Sequence, residues 1–313
     1  MFLTRRDPSP WFVFTVLFLV YIGWGSSYIG YKLSLEVAGP FLVAGGRAFI
    51  GGLLLAFMLL ASGKWVRPSW KTIRWNLVVG IPFVLFGSGF IGFGQTQVSS
   101  STAAVITSTT PILMLVAGYL FAGEPRPAFL QWVGLIAGSA GITYIGWCER
   151  SSAQGEYPVI GMILVLLAAV GWVFASLFMK KHPVGQALSV LQATSLLLVC
   201  GGADCFILAF ILGEPFAMHW ENLRPDIIIA FSWMTIGGTL VAYSCYIWLL
   251  THVSIALAVS YEYVVPVVGI ILGWYVGGEH ITPGILMACA VTIGSVALVI
   301  HRPHERQIQT RQG

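Results

Sequence analysis

Residues 111–124 read PILMLVAGYLFAGE and residues 266–279 read PVVGIILGWYVGGE. Pro111 and Pro266, Gly118 and Gly273, Gly123 and Gly278, and Glu124 and Glu279 therefore stand in one register, each pair 155 residues apart in a chain of 313. A repeat of about half the chain length, set in apolar sequence, indicates two copies of one membrane-embedded unit, a common construction in secondary transporters.

Composition sets the solvent. Charged residues are 9% of the chain and hydrophobic residues 57%, against roughly 25% charged in soluble domains. Water is not the main solvent of such a surface. The net charge of +4 is dispersed over short loops with no basic patch, so no nucleic-acid partner is expected. Cys148, Cys200, Cys205, Cys245 and Cys289 lie in or beside apolar runs without CxxC spacing or His partners, and read as free thiols. No metal or other cofactor is expected.

Charges, prolines and glycines divide the chain into ten apolar segments of spanning length, 11–30, 38–61, 75–94, 101–122, 127–147, 158–180, 188–212, 226–250, 254–277 and 281–300. The first follows Arg5-Arg6 but is long and lacks an Ala-x-Ala site, which makes it an uncleaved span. With the N-terminus inside, twelve Lys and Arg residues fall in inner loops and tails. Only Lys32, Arg150 and Arg224 fall outside, and Arg47 lies within a span. That bias puts both termini in the cytoplasm of a multi-pass plasma membrane protein, a bacterial inner membrane being the expected one. Five spans per half is an odd number, so the second half enters the bilayer from the opposite side. The expected fold is an all-α integral membrane protein of ten transmembrane helices in two inverted five-helix repeats, residues 1–150 and 151–313, the second with a cytoplasmic tail.

Gly23-Trp24 followed by Lys32 and Gly171-Trp172 followed by Lys180 have the same spacing and occupy equivalent places in the two halves. With Trp24-Gly25-Ser26-Ser27, Arg47 before an apolar run, and the blocks ending at Glu124 and Glu279, the chain resembles the drug/metabolite transporter superfamily in its ten-helix EamA-type branch. The resemblance runs from about residue 11 to residue 300. It implies an exporter of small metabolites working by alternating access. Within the family the chain is similar to the YddG-type exporters of aromatic and other neutral amino acids. Simple spacing puts Gln192 opposite Arg47, a departure from strict repetition.

The residues argue a site independently of that likeness. Pro111 and Pro266 each deprive a carbonyl four residues earlier, at Thr107 and Glu262, of its helical donor. Backbone polarity at this depth is tolerated where it lines a cavity or is buried in protein. Pro111, Pro266, Gly118 and Gly273 are accordingly candidate helix-break or gating positions. Trp24 and Tyr28 share a helix face, as do Ser88 and Gln95, Trp172 and Ser176, and Thr239, Tyr243 and Tyr246. These faces suit a cavity that takes an apolar side chain and hydrogen-bonds a polar end. The candidate substrate-binding set is Trp24, Tyr28, Ser88, Gln95, Thr107, Trp172, Ser176, Tyr243, Tyr246 and Glu262. Tyr31 reads as part of the interfacial belt.

Arg47, Asp204 and Glu262 are ionisable residues inside spans, where a charge costs roughly 2.5–3.5 kcal/mol on insertion scales. Each needs a partner, a wet cavity or, for the acids, a proton. Glu262 is assigned either to a substrate ammonium or to titration during the transport cycle, the competing account being a structural pair with Arg47. Glu124 and Glu279 suggest capping or conformational locking. An intramembrane enzyme is not expected, since no His lies mid-span and no His-Glu-x-x-His occurs. Several buried cations for a phosphorylated substrate are also missing. The alternatives are an exporter of small apolar cations or drugs, or a channel or receptor. Gly134-x-x-x-Gly138 and Gly269-x-x-x-Gly273 read as internal packing motifs, and the expected partners are a small-molecule substrate, the bilayer and at most a weak homodimer through the fifth or tenth span.

Overall fold

The structure is a computed structural model that describes residues 8–98, 109–148, 156–181 and 188–265, with single positions among 103–107 and 267–298. Pro266, Gly269, Gly273, Gly278, Glu279, most of the tenth span and the C-terminal tail lie outside the described residues. Among the described residues the regular elements are all helical. They are α1 (Pro10–Ser34), α2 (Pro40–Ala61), α3 (Trp70–Gln97), α4 (Thr110–Phe121), α5 (Phe129–Cys148), α6 (Pro158–Lys181), α7 (Val190–Ile211), α8 (Pro225–His252) and α9 (Ile255–Ala258, helical again over residues 261–265). Of these, α1, α2, α3, α6, α7 and α8 are long and apolar enough to cross a membrane.

The helix starts follow local chemistry. Ser9, Ser69, Ser189 and Ser254 accept from the backbone N–H three residues on, at Phe12, Thr72, Gln192 and Leu257. Pro40 opens α2 after Gly39, which has no side chain to offer. The cap comes instead from the α7–α8 loop: Glu214 accepts from Phe41 N–H at 3.3 Å and Leu42 N–H at 2.8 Å. Burial raises the Glu214 pKa against the pull of these two donors.

Loop contacts separate the two faces of the bundle. On one face His219 N–H donates to Val37 at 2.9 Å, Arg224 pairs with Glu36 at 2.9 Å, and Tyr157 N–H donates to Gln97 at 3.0 Å. On the other, Gln192 bonds the Val66 N–H at 3.2 Å and also the Val66 carbonyl, and Glu124 pairs with Lys180 at 3.1 Å. Lys180 Nζ reaches the Val253 carbonyl there as well, at 3.4 Å. Sequential loops thus alternate between faces, as continuous crossings require.

The Gly123-Glu124 pair has a local cause. Gly123 takes φ +69, the left-handed conformation in which a Cβ is strained, and this turns the chain so that Ala122 and Glu124 both donate to the Gly118 carbonyl. The Glu124 carboxylate is then aimed at Lys180, tying the end of α4 to the end of α6. Gly118 itself is not at a break. It lies inside the last turns of α4, and a Cβ there would meet Ile255 Cδ1 at 3.3 Å.

The two-fold relation between halves appears in paired contacts. A Cβ on Gly23 would fall 2.6 Å from the Gly237 carbonyl, and one on Gly171 would fall 3.1 Å from the Pro82 carbonyl. Gly23 and Gly171 are the repeated Gly-Trp glycines, and Pro82 and Gly237 stand 155 residues apart. Both contacted carbonyls belong to π-helical stretches, Ile81–Phe90 in α3 and Met234–Val241 in α8. Between α2 and α7, a Cβ on Gly45 would meet the Phe206 ring and one on Gly202 would meet Phe49, whose ring lies 5.6 Å from that of Phe206. The register that exchanges Gly45 with Gly202 and Phe49 with Phe206 makes Asp204 the counterpart of Arg47. Gln192, the counterpart by simple spacing, is instead bonded to Val66 at the end of the bundle.

Gly23→Ala is expected to destabilise the protein by about 1–3 kcal/mol, because a backbone carbonyl cannot yield as a side-chain tip would. Thermal unfolding in detergent measures it. A midpoint equal to that of the wild type would contradict this packing.

Candidate substrate cavity

The close approach at Gly23 and Gly171 carries the following tryptophans to the centre of the bundle. Trp24 and Trp172, equivalent residues of the two halves, meet there with ring centroids 5.4 Å apart at 78°. Trp24 is also 5.5 Å from Tyr243 and 4.5 Å from Tyr261, and its indole N–H donates to the Gly238 carbonyl at 2.8 Å. Trp172 stacks on Phe83 at 4.3 Å and lies over Gly87, where a Cβ would be 2.7 Å from its ring. These fixed rings form the apolar wall of a cavity of about 110 Å³.

The opposite character comes from α2, α3, α4 and the broken α9. Arg47, 6% exposed, donates from Nη2 to Ser88 Oγ at 3.0 Å, and its guanidinium lies 5.5 Å from the Tyr31 ring centroid. Ser88 Oγ is 3.0 Å from the Tyr243 hydroxyl, a hydrogen bond between residues 155 apart in the chain. Tyr31 donates its hydroxyl towards the carbonyls of Pro40 at 2.9 Å and Ser88 at 3.2 Å. Gln95, Thr107, Thr110, Ser27 and Glu262 complete the polar lining.

Two helices are interrupted beside this cavity. α4 restarts at Thr110 with Pro111 in its first turn, after Thr109 N–H and Oγ1 have both turned back to the Ile106 carbonyl. Pro111 thus begins a helical piece where no N–H is required, rather than kinking a continuous helix. In α9 the turn falls at Val259 and Ser260, several residues before Pro266, and places Tyr261 and Glu262 together at the cavity.

Of the residues marked by sequence, Trp24, Ser88, Gln95, Thr107, Trp172, Tyr243 and Glu262 line the cavity. Ser176 and Tyr246 do not. Both are fully buried, and their hydroxyls bond each other at 2.9 Å behind the wall. The Tyr28 side chain lies outside the described residues. Tyr31 departs from the expected belt role: it is 6% exposed and lines the cavity. Arg47, Ser27 and Tyr261 also line it. Helical spacing gave no way to select Tyr261, because the turn at residues 259–260 resets the face, and consecutive residues of a regular helix point about 100° apart. Among the described residues Arg47 and Glu262 form no ion pair with each other or with anything else, so the structural pairing of the two is not made. Asp204 is away from the cavity, with Oδ2 buried against Gly80 and, among the described residues, without a hydrogen-bond partner.

An apolar cavity of about 150 Å³ accommodates benzene. At about 110 Å³ the present one is somewhat smaller than that.

Comparison with known proteins places most of the chain. The model of the EamA-like transporter family matches residues 11–147 and 159–301. The Escherichia coli (strain K12) protein described as an uncharacterised inner membrane transporter, YedA, is 31% identical over 293 residues, 92% of this chain and 90% of the relative. The Bacillus subtilis (strain 168) uncharacterised transporter YoaV is 23% identical, covering 84% and 88%. A chloroplastic WAT1-related protein of Arabidopsis thaliana is 25% identical over 91% of this chain and 68% of its own. A solved crystal structure superposes with a TM-score of 0.76 over 93% of this chain and 98% of that one, at 19% identity, which speaks for the fold.

Proposed function

This chain belongs to the EamA-like transporter family, a multi-pass membrane transporter by descent, and from that premise we propose that it exports neutral amino acids, aromatic ones included, by alternating access. The carrying observation is the central cavity itself, where Trp24, Trp172, Tyr243 and Tyr261 stand beside Glu262 and Thr107. The rings offer low-cost apolar contact for a side chain. Glu262, without an ion-pair partner among the described residues, offers an anion to a primary ammonium. The arrangement favours amino acids over phosphorylated metabolites, for which a single buried Arg is too little charge.

In this reading residues 1–150 and 151–313 are the two repeats that move against each other, which agrees with the division of the family match at residues 147 and 159. The Glu124–Lys180 pair holds α4 to α6 on one face. Lys32 and Glu279 are their sequence counterparts for the other face. The face carrying Glu124, Lys180 and Val66 is cytoplasmic, as are both termini, because the inner loops hold most of the Lys and Arg.

Two measurements test these proposals. Proteoliposome counterflow of labelled L-phenylalanine should be saturable and displaced by unlabelled neutral amino acids, and Glu262→Gln should weaken it about 10-fold or more, the cost of losing a charged hydrogen-bond partner. Flux that does not saturate, or exchange of organic cations without amino acids, would overturn it. Single cysteines at positions 67 and 221, in a background lacking native cysteines, should be labelled from opposite sides, position 67 from the cytoplasm. Labelling of both from one side would refute the orientation.

A further inference from the structure

We infer that Arg47 is the carboxylate-binding residue of the cavity, so that the substrate class is the zwitterion: Arg47 takes the carboxylate and Glu262 the ammonium. This rests on the proposed amino-acid transport and adds the residue that reads the acid end. Arg47 is nearly inaccessible, yet it lines the cavity. A guanidinium carries five N–H donors and always a charge. One donor is used, on Ser88 Oγ, and the Tyr31 ring covers the cation at 5.5 Å. Among the described residues no other hydrogen bond and no ion pair is made by Arg47. A buried charge in that condition calls for an anion, and its planar fork matches a carboxylate.

The supporting contacts fix where that fork stands. Ser88 is held by Tyr243 through its Oγ and by Tyr31 through its carbonyl, and Tyr31 is anchored a second time on Pro40. The guanidinium is therefore clamped by α1, α2, α3 and α8 at once. Among the described residues the cavity wall has one cation, Arg47, and one anion, Glu262. An organic cation would satisfy Glu262 and leave Arg47 uncompensated, and an organic anion would do the reverse. A zwitterion satisfies both, with its side chain against the tryptophans.

Binding to the purified protein, followed by tryptophan fluorescence, tests the inference with three probes: L-phenylalanine, 3-phenylpropionate, which lacks the ammonium, and 2-phenylethylamine, which lacks the carboxylate. Arg47→Gln should weaken L-phenylalanine and 3-phenylpropionate by about 10- to 100-fold and leave 2-phenylethylamine unweakened. Arg47→Lys should restore part of the loss. If Arg47→Gln fails to fold, Ser88→Ala decides, with a smaller loss expected for the same two probes. Unchanged carboxylate binding in these variants, equal weakening of all three probes, or no binding of 3-phenylpropionate by the wild type would overturn the inference. Wild-type counterflow separates this from the parent reading. No amino-acid flux with Arg47-dependent binding of 3-phenylpropionate sinks the parent and keeps the anion subsite. Normal flux with Arg47-independent binding does the opposite.

Discussion

The hydrogen bond between Ser88 and Tyr243, 3.0 Å long, joins two residues that the internal repeat makes equivalent. In an inverted repeat only groups at the two-fold axis can meet their own counterparts, so this bond marks the axis. Trp24 with Trp172 and Phe49 with Phe206 mark it again. The rest of the molecule is arranged to bring these pairs together. Gly23 and Gly171 surrender their side chains so that α1 and α6 can lie against backbone carbonyls of α8 and α3. The π-helical stretches of α3 and α8 sit at the same contacts.

A symmetric scaffold would by itself build a symmetric hole. The chemistry in it is not symmetric, because equivalent positions carry different groups. Tyr243 answers Ser88, Glu262 answers Thr107, and Asp204 answers Arg47 in the register of the α2–α7 packing. Five of these six face the cavity, Arg47 among them, whereas Asp204 is turned towards α3. The cavity therefore has a basic and an acidic group in its lining, a polarity that orients a substrate with two unlike ends. Each charge costs a few kcal/mol in a membrane interior, roughly 2.5–3.5 on insertion scales. A bound molecule that neutralises both recovers more than one that neutralises either.

Much of this was legible in the chain. The 155-residue register, the Gly-Trp repeat and the low charge led to the membrane fold, since each is a covalent or compositional signal that survives without coordinates, and helix-face spacing with the two prolines pointed to seven of the residues that line the cavity. Other features were not legible, for identifiable reasons. Tyr31 looked interfacial by depth, but depth does not say which way a ring points, and its hydroxyl turns inward to Pro40 and Ser88. Tyr246 and Ser176 share a helix face with true wall residues, yet they satisfy each other one layer behind it. The break in α9 falls at residues 259–260, before Pro266, and resets the helix face, so helical spacing did not select Tyr261. Gln192 was matched to Arg47 by spacing alone, which ignores the register shift that the glycine contacts of α2 and α7 impose.

The central claim is that the cavity at the two-fold axis, walled by Trp24 and Trp172, is where substrate sits. Crystals grown with 4-bromo-L-phenylalanine test it directly through the anomalous signal of bromine. The account predicts a bromine peak against the Trp24 and Trp172 rings, with electron density for the amino and carboxyl groups reaching Glu262 and Arg47. A bound molecule located elsewhere, with the axial cavity holding only solvent, would contradict it.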